Sequence, residues 1–326
     1  MTNFYDELDK IMRQDFGNRG LLSSLPAAPV KKAAATLLRA ERVVLLTGFP
    51  VRLKDGSFIG ETDGPSGTAN LAAALTDAGC SVYVVTDAAS YNLLDAVLSY
   101  RAPLASLTLL PNTGTEDFIR NFMRLTAPDH FISLERPGKA SDGHFHNMRG
   151  EVIDDMTADS SLFLSEAQKN GAVTISIGDG GNEMGMGTYR KQILNSVPSG
   201  DLICTAEAAD ITLACGVSNW WGWGISALLS HELHTNLLPS EAEETETLRR
   251  AVNAGAVDGC SKACEMTVDG LSLGVHLSVL RQTAALMEKY TFYRHERDFL
   301  TGMTSTVKHS PNYHFSAANS FSHTSY

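Results

Sequence analysis

The chain has 326 residues, 43% of them hydrophobic and 19% charged, and it carries a formal net charge of −11. This length allows one large α/β domain or two smaller ones, with a core large enough to need no disulfide bonds. The negative charge argues against a nucleic-acid partner, because phosphates require a basic protein face.

Segments of strand length alternate with segments of helical spacing along the chain. Residues 1–40 have helical patterns and are expected to pack outside the sheet. Nearly continuous apolar segments predict strands at 42–47, 81–86, 107–110, 130–134, 173–177 and 211–214. Helical spacing predicts helices at 68–78, 94–100, 116–125, 160–170, 248–254 and 272–290. The alternation predicts a mostly parallel sheet with helices on both faces.

The two ends and the cysteines indicate the setting of the domain. Residues 1–290 are expected to form a single domain, and the polar residues 291–326 a flexible tail. No window of about 18 apolar residues predicts a membrane span. The acidic N-terminal residues and the absence of an apolar signal core favour a cytoplasmic location. Three of the five cysteines, Cys80, Cys204 and Cys215, lie in or beside apolar segments, which predicts buried, reduced thiols.

A glycine-rich loop, GDGGNEMGMG at residues 178–187, follows the predicted strand 173–177. Glycine allows close approach of the backbone to a ligand, and open α/β sheets bind ligands where strands end in such loops. The loop lacks the Lys-Ser/Thr of a P-loop, and Glu183 replaces the last glycine of a dinucleotide fingerprint. Because Asp179 and Glu183 would repel a phosphate, a cation, alone or with an anionic substrate, fits the loop better.

Three further loops, 48–67, 135–150 and 205–224, also combine glycine with acidic or amide residues after predicted strands. The carboxyl ends of parallel strands share one edge of a sheet, so these loops are expected to converge on one cleft. The predicted ligands of a hard divalent cation are Glu61, Asp63, Asp179 and Glu183, with the carboxamide oxygen of Asn182. Oxygen ligands suit Mg²⁺, Mn²⁺ or Ca²⁺ equally. The alternative is that these side chains only cap turns and helices.

Two arginines and two histidines provide candidate groups for binding and proton transfer. Arg136 and Arg149 lie in a strand-end loop, where a guanidinium can bind a carboxylate at two points, or form an internal ion pair instead. His144 and His146 are two residues apart and point the same way in an extended segment. One of them is a candidate proton-transfer group, and a structural hydrogen-bonding role is the alternative.

The segment from Asn219 to Gly224 contains all three tryptophans of the chain. At the start of a helix it could form the wall of a pocket, a contact in a homodimer, or part of the core.

Several of these segments, taken together and in this order, resemble the D-glutamate cyclase family, in particular its C-terminal catalytic-type domain. The resemblance spans roughly residues 30–290, and the chain has no room for the additional N-terminal domain of the mitochondrial enzyme. The matching segments are Gly48-Phe49-Pro50, residues 61–65, residues 135–138, residues 178–187 and Trp220-Trp221-Gly222. The resemblance implies a three-layer α/β/α fold and a hydro-lyase that converts D-glutamate to 5-oxo-D-proline and water.

This reaction assigns expected roles to the candidate residues. A divalent cation would polarise the γ-carboxylate, with His144, Arg136 and Glu183 as catalytic residues. The expected substrate-binding residues are Arg149, Gly180, Gly181, Asn219 and Trp220. The alternatives are a metal-dependent phosphate-ester hydrolase and a non-catalytic protein that binds a metal or a metabolite. The resemblance also makes the mitochondrial matrix an alternative location.

Overall fold

The computed structural model of the protein describes residues 3–300, with residues 292–300 described by their backbone alone. Ten strands form three sheets. They are β1 (Arg42–Thr47), β2 (Pro50–Arg52), β3 (Phe58–Gly60), β4 (Ser81–Thr86), β5 (Ser106–Leu109), β6 (His130–Leu134), β7 (Val173–Gly178), β8 (Ile211–Ala214), β9 (Thr267–Val268) and β10 (Leu271–Ser272).

Six of these strands form one parallel sheet in the order β5-β4-β1-β6-β7-β8. They are the six strands predicted from the sequence, with no end displaced by more than one residue. Strands β1, β6 and β8 are buried along nearly their whole length, which explains their continuous apolar sequences. The remaining strands form two short antiparallel hairpins, β2-β3 and β9-β10.

Eleven α-helices lie within the described residues. They are α1 (Phe4–Met12), α2 (Val30–Leu37), α3 (Pro65–Asp77), α4 (Tyr91–Arg101), α5 (Thr115–Thr126), α6 (Leu162–Lys169), α7 (Arg190–Ser196), α8 (Gly200–Ile203), α9 (Ser218–Leu233), α10 (Glu241–Asn253) and α11 (Leu273–Leu300). Residues of α3, α4 and α9 pack on one face of the sheet and those of α5 and α6 on the other. The predicted three-layer α/β/α fold is confirmed.

Helix α9 is the longest helix whose range the sequence pattern did not predict. Every side chain from Ser218 to Ser230 is buried, because the helix lies between the sheet and other helices. A helix that is apolar all round has no amphipathic period, so its sequence does not show where it ends.

The order of the strands explains where the site lies. From β1 the chain moves outward through β4 to β5, and then crosses to the other side of β1 to form β6. Strands β1 and β6 therefore lie side by side at a topological switch point, where loops leave in opposite directions and open a crevice. The loops that follow β1, β6 and β7 are three of the four loops that the sequence predicts to converge.

The compact unit that contains the sheet ends at Tyr290. Helix α11 was predicted to end at residue 290, and its backbone continues to Leu300. The rest of the predicted tail, residues 301–326, lies outside the described residues. None of the helices within residues 3–300 is both long and apolar enough to cross a membrane. Cys80, Cys204 and Cys215 are buried free thiols, as predicted.

Candidate functional site

Three carboxylates meet at the carboxyl edge of the sheet. Asp63 precedes α3, Glu135 directly follows β6, and Asp179 directly follows β7. One oxygen of each lies within 4.8 Å of the other two, and all three side chains are buried. These three residues are called the carboxylate cluster below. Three buried acids this close together repel one another unless protons or cations compensate their charges.

Asp63 is held in place by the N-terminus of α9. Its carboxylate accepts hydrogen bonds from the backbone N–H groups of Ser218 and Asn219, both at 2.8 Å, and of Gly64 at 3.0 Å. Asn219 in turn accepts from the N–H groups of Gly64 at 3.0 Å and Gly67 at 2.7 Å. Helices α3 and α9 therefore cap each other, and the positive ends of both helix dipoles face the cluster.

Glu135 reaches the cluster through an unusual backbone conformation. Its φ of 47° lies in the left-handed region, which non-glycine residues adopt only where the surroundings impose it. The side chain of Ser218 donates a hydrogen bond of 2.6 Å to Glu135 Oε2. The peptide N–H of Gly48, after β1, donates to the Glu135 carbonyl at 3.0 Å. The turn is thus fixed at the switch point between β1 and β6.

Glu183 braces the glycine-rich loop that carries Asp179. Its Oε1 accepts the backbone N–H groups of Asp179 at 3.1 Å and Gly180 at 2.7 Å, and its Oε2 accepts that of Gly181 at 2.7 Å. The carboxylate that replaces the last glycine of a dinucleotide fingerprint therefore binds the loop's own N–H groups, the groups that would otherwise bind a phosphate.

Arg19 forms the ion pairs of the site. It lies between α1 and the short 3₁₀ turn Leu22–Ser24, and its guanidinium pairs with Asp179 and, at 3.1 Å, with Asp269. Asp269 is at the turn of the β9-β10 hairpin, with a φ of 54°. One oxygen of Asp179 and one of Asp269 are buried without a hydrogen-bond partner in the described residues. The site thus retains carboxylate oxygens that Arg19 does not satisfy.

Burial and mutual repulsion make the acids of the site hard to ionise. Burial, with the charge of Asp269, raises the pKa of Asp63 to about 8. Burial likewise raises the pKa values of Glu61, Glu135 and Asp179 well above their usual range, and the neighbouring carboxylates add to it. The charge of Arg19 opposes these shifts for Glu61, Asp63 and Asp179 but does not cancel them. The site therefore holds more acidic groups than Arg19 can compensate, and a hard cation would favour their ionised forms.

The predicted cation ligands separate into three groups in the structure. Asp63 and Asp179 lie in the carboxylate cluster. Glu61 is buried, and its burial, together with the charges of the neighbouring Asp269 and Asp63, raises its pKa. Glu183 instead braces its own loop, and the side-chain amide of Asn182 donates to the His146 carbonyl at 2.9 Å. Gly180 and Gly181, expected to bind substrate, give their N–H groups to Glu183.

Arg136, expected at the reacting groups, is a buried structural residue. Its guanidinium is fully buried and donates to Ser160 at 3.0 Å, to Asp87 at 2.6 Å, and to the carbonyls of Gly48 at 3.3 Å and Ala158 at 2.6 Å. This arrangement is the internal ion pair that the sequence left open as the alternative. Arg136 is not available to a substrate, because every nitrogen of its guanidinium already has an acceptor.

The other predicted residues contribute no carboxylate to the cluster. Arg149 and His144 are exposed in the loop after β6, and His144 pairs with Asp154 at 2.7 Å. Trp220 is fully buried, and its indole N–H donates to His276 at 3.2 Å. The tryptophans therefore belong to the core, one of the three interpretations that the sequence allowed, and Asn219 is occupied in capping α3.

Three residues of the site were not selected from the sequence. Glu135 had the same signal as the selected acids, because it immediately follows a predicted strand. Asp269 lies in an Asp-Gly pair, a recognised hairpin turn, but the strands beside it are only two residues long. Nothing in the local sequence of Arg19 indicates a role, because its partners are more than a hundred residues away.

The chain is thus an α/β protein with a cluster of buried carboxylates, a candidate ligand site, at the switch point of a parallel sheet. The family model described as D-glutamate cyclase-like, C-terminal, matches residues 8–284. The chain belongs to this family, as its sequence motifs predicted.

One similar protein is named for an enzymatic activity. The human protein named D-glutamate cyclase, mitochondrial, is 30% identical over 265 residues, which cover 78% of this chain and 42% of the human protein. This chain thus spans less than half the length of that relative. A solved exopolyphosphatase-related protein from Bacteroides fragilis aligns with a TM-score of 0.36 and 10% identity, over 79% of this chain and 56% of that one. That similarity is too low to support an argument about function. The cytoplasmic location stays a prediction beside the mitochondrial name of the human protein.

Proposed function

We propose that the protein is a hydro-lyase that converts D-glutamate to 5-oxo-D-proline and water with the help of a divalent cation. The carboxylate cluster carries this proposal: three buried acids whose oxygens lie within 4.8 Å of one another, at the switch point of the sheet. Membership of the D-glutamate cyclase-like family supports an enzyme and suggests the substrate. The reaction itself is proposed, because the chain spans 42% of the human enzyme.

The residues of the cluster fit a hard cation. Asp63, Glu135 and Asp179 would hold the cation. The oxygen of Asp179 that has no hydrogen-bond partner would be one of its ligands. An all-oxygen site suits Mg²⁺, Mn²⁺ or Ca²⁺. When bound, the cation would polarise the γ-carboxylate of the substrate and stabilise the negative charge that develops on its oxygens.

Ring closure requires two proton transfers at the substrate. The ammonium nitrogen loses two protons as it forms the amide bond, and the departing γ-carboxylate oxygen gains two as it leaves as water. A single carboxylate that moves both protons ends the reaction unchanged. We assign this role to Glu61, which is buried and whose pKa is raised by burial and by the charges of Asp269 and Asp63, so that it can hold and release a proton.

The protein's remaining contribution is position. The amine attacks a carboxylate of the same molecule, and well-oriented intramolecular reactions reach effective molarities of about 10⁵ M or more. The two capped helix ends and the braced loop hold the cluster rigidly. Burial of the site limits access of water, which would otherwise favour the reverse reaction.

The direct test is incubation of the purified protein with D- or L-glutamate, in chelator or with Mg²⁺, Mn²⁺ or Ca²⁺, followed by chromatography of 5-oxoproline. We expect product from D-glutamate that depends on the added cation. If neither enantiomer gives product with any cation, the cyclase proposal is wrong. Thermal stabilisation by a cation and glutamate without turnover would indicate a binding protein instead.

Two variants separate the proposed roles. Glu135→Gln should weaken Mn²⁺ binding at least 10-fold, because it removes one anionic ligand. Glu61→Gln should keep Mn²⁺ affinity within a few-fold and lower kcat about 100-fold or more. Asp77→Asn, at an exposed acid of α3, is the matched control and should change neither. Loss of Mn²⁺ affinity in Glu61→Gln would make Glu61 a ligand.

A further inference from the structure

The proposed substrate has a second carboxylate that the cation does not hold. A glutamate whose γ-carboxylate lies at a cation still brings its α-carboxylate into a site crowded with acids. Such an anion binds only if a basic group faces it. The inference below rests on the proposed function and identifies this basic group.

Neither arginine that the sequence suggested for this task forms an ion pair with Asp179 or Asp269 in the described residues. Arg136 has an acceptor at every guanidinium nitrogen and no exposure, and Arg149 lies exposed in the loop after β6. Among residues 3–291, the ion pairs of Asp179 and Asp269 are all made by Arg19. It is therefore the guanidinium that is already at the cluster.

We propose that Arg19 acts in turn as counter-ion and as substrate-binding residue. In the protein without a cation, Arg19 compensates the charges of Asp179 and Asp269. When a divalent cation occupies the cluster, it takes over the charge of Asp179, and Arg19 binds the α-carboxylate of the substrate. No chemical bond changes in this exchange.

The surroundings of Arg19 allow such an exchange. Its side chain is 22% exposed, whereas that of Asp179 is 3% exposed, so the guanidinium lies at the open side of its partner. Arg19 is in irregular chain between α1 and the 3₁₀ turn, where its backbone N–H donates to Asp15 at 3.2 Å. A long side chain on a backbone tethered in this way can change partners by rotation about its own bonds. A planar guanidinium also matches a carboxylate at two points.

The consequence concerns the N-terminal segment. Residues 1–40 were expected only to pack outside the sheet, and α1 and α2 do pack against α9. Through Arg19 the same segment supplies the group that distinguishes a dicarboxylate from a monocarboxylate. The cation and the substrate then bind cooperatively, because the cation releases the residue that the substrate needs.

The first experiment measures Mn²⁺ binding by calorimetry without substrate. Arg19→Gln removes a competitor for Asp179 and should bind Mn²⁺ roughly 10-fold more tightly than the wild type. Arg39→Gln, an exposed arginine of the same segment, is the matched control for the change in charge and should bind as the wild type does. Arg19→Lys keeps the positive charge and should bind Mn²⁺ as the wild type does. It is the variant to measure if Arg19→Gln does not fold.

The second experiment measures binding of glutarate and butyrate in saturating Mn²⁺. Neither has an amine, so neither forms a lactam, and they differ by one carboxylate. The wild type and Arg39→Gln should prefer glutarate by roughly 10- to 100-fold, and Arg19→Gln should lose this preference. The Arg19→Lys variant should keep part of it, because one contact replaces two.

The outcomes separate this inference from the proposed function. An unchanged preference for glutarate, or unchanged Mn²⁺ affinity, in Arg19→Gln would overturn the exchange even if the wild type forms 5-oxoproline. Both effects in a protein that forms no 5-oxoproline would leave the exchange standing and reject the cyclase reaction.

Discussion

Glu183 provides a decisive test, because the sequence and the structure give it different roles. The sequence suggested a cation ligand, whereas its two carboxylate oxygens accept three backbone N–H groups of its own loop. In Glu183→Gln one oxygen can still accept the N–H groups of Asp179 and Gly180. The new side-chain NH₂ group then meets the Gly181 N–H, which is also a donor and was 2.7 Å from the replaced oxygen.

The magnitude follows from these contacts. Losing one hydrogen bond to a charged acceptor and leaving a buried N–H unsatisfied costs about 1.5–3 kcal/mol. The two remaining hydrogen bonds lose the charge of their acceptor, which adds about 1 kcal/mol. Removing the charge of Glu183 also lessens repulsion with Glu135 and Asp179 and offsets part of this cost. The free energy of unfolding should therefore fall by about 2–4 kcal/mol.

The assay is urea unfolding at pH 8 in the presence of a chelator. The slope of the free energy of unfolding against urea concentration should be the same in the wild type and the variant. Glu207→Gln is the matched control, because one oxygen of Glu207 is buried without a partner in the described residues. Burial raises the pKa of Glu207 to about 7, so the ionised form destabilises the fold at pH 8. The control should be unchanged or more stable, by up to about 3 kcal/mol.

Binding of Mn²⁺ to the same variant decides between the two roles. A loop brace predicts a destabilised Glu183→Gln protein that still binds Mn²⁺ within about 10-fold of the wild type. If the variant instead unfolds within about 0.5 kcal/mol of the wild type and loses Mn²⁺ affinity, Glu183 is a ligand and the interpretation of the loop is wrong.

Two further predictions concern the cluster and the helix pair that holds it. Without a divalent cation, the contribution of Asp63 to the free energy of unfolding should decline as pH rises from about 4 to about 8. The reason is that Asp63 keeps its proton in the folded state up to about pH 8, whereas in the unfolded chain it releases that proton above its ordinary pKa of 3.8. The increase in Tm caused by Mn²⁺ should therefore grow with pH over this range, and a pH-independent increase would place the ion elsewhere. Gly222→Ala should destabilise by about 1–3 kcal/mol or more, since its Cβ would lie 2.2 Å from the Gly67 carbonyl oxygen between α9 and α3. Gly274→Ala is the control: its nearest neighbour would be 3.8 Å away, so urea unfolding should show no loss, and equal losses in both variants would refute the packing argument.

The sequence by itself determined the layers and the edge of the sheet at which the site lies. The six strands of the sheet are short apolar segments because helices cover both faces. This apolar character can be recognised within each segment without knowledge of the rest of the chain. Asp63 and Asp179 were selected because acids in glycine-rich loops after parallel strands share one edge. The expected reaction came from the resemblance to a family, because the pattern of apolar residues predicts a fold and not a reaction.

Only the tertiary structure decided which charged groups face the ligand. Glu135 and Glu183 both follow strands, yet a left-handed φ directs one carboxylate into the cluster, and three N–H groups of the loop hold the other. Arg19 and Asp269 meet across 250 positions of sequence. Burial and hydrogen bonding are properties of the packed chain, and they decide whether a charge is available for chemistry or is already used to hold the fold together.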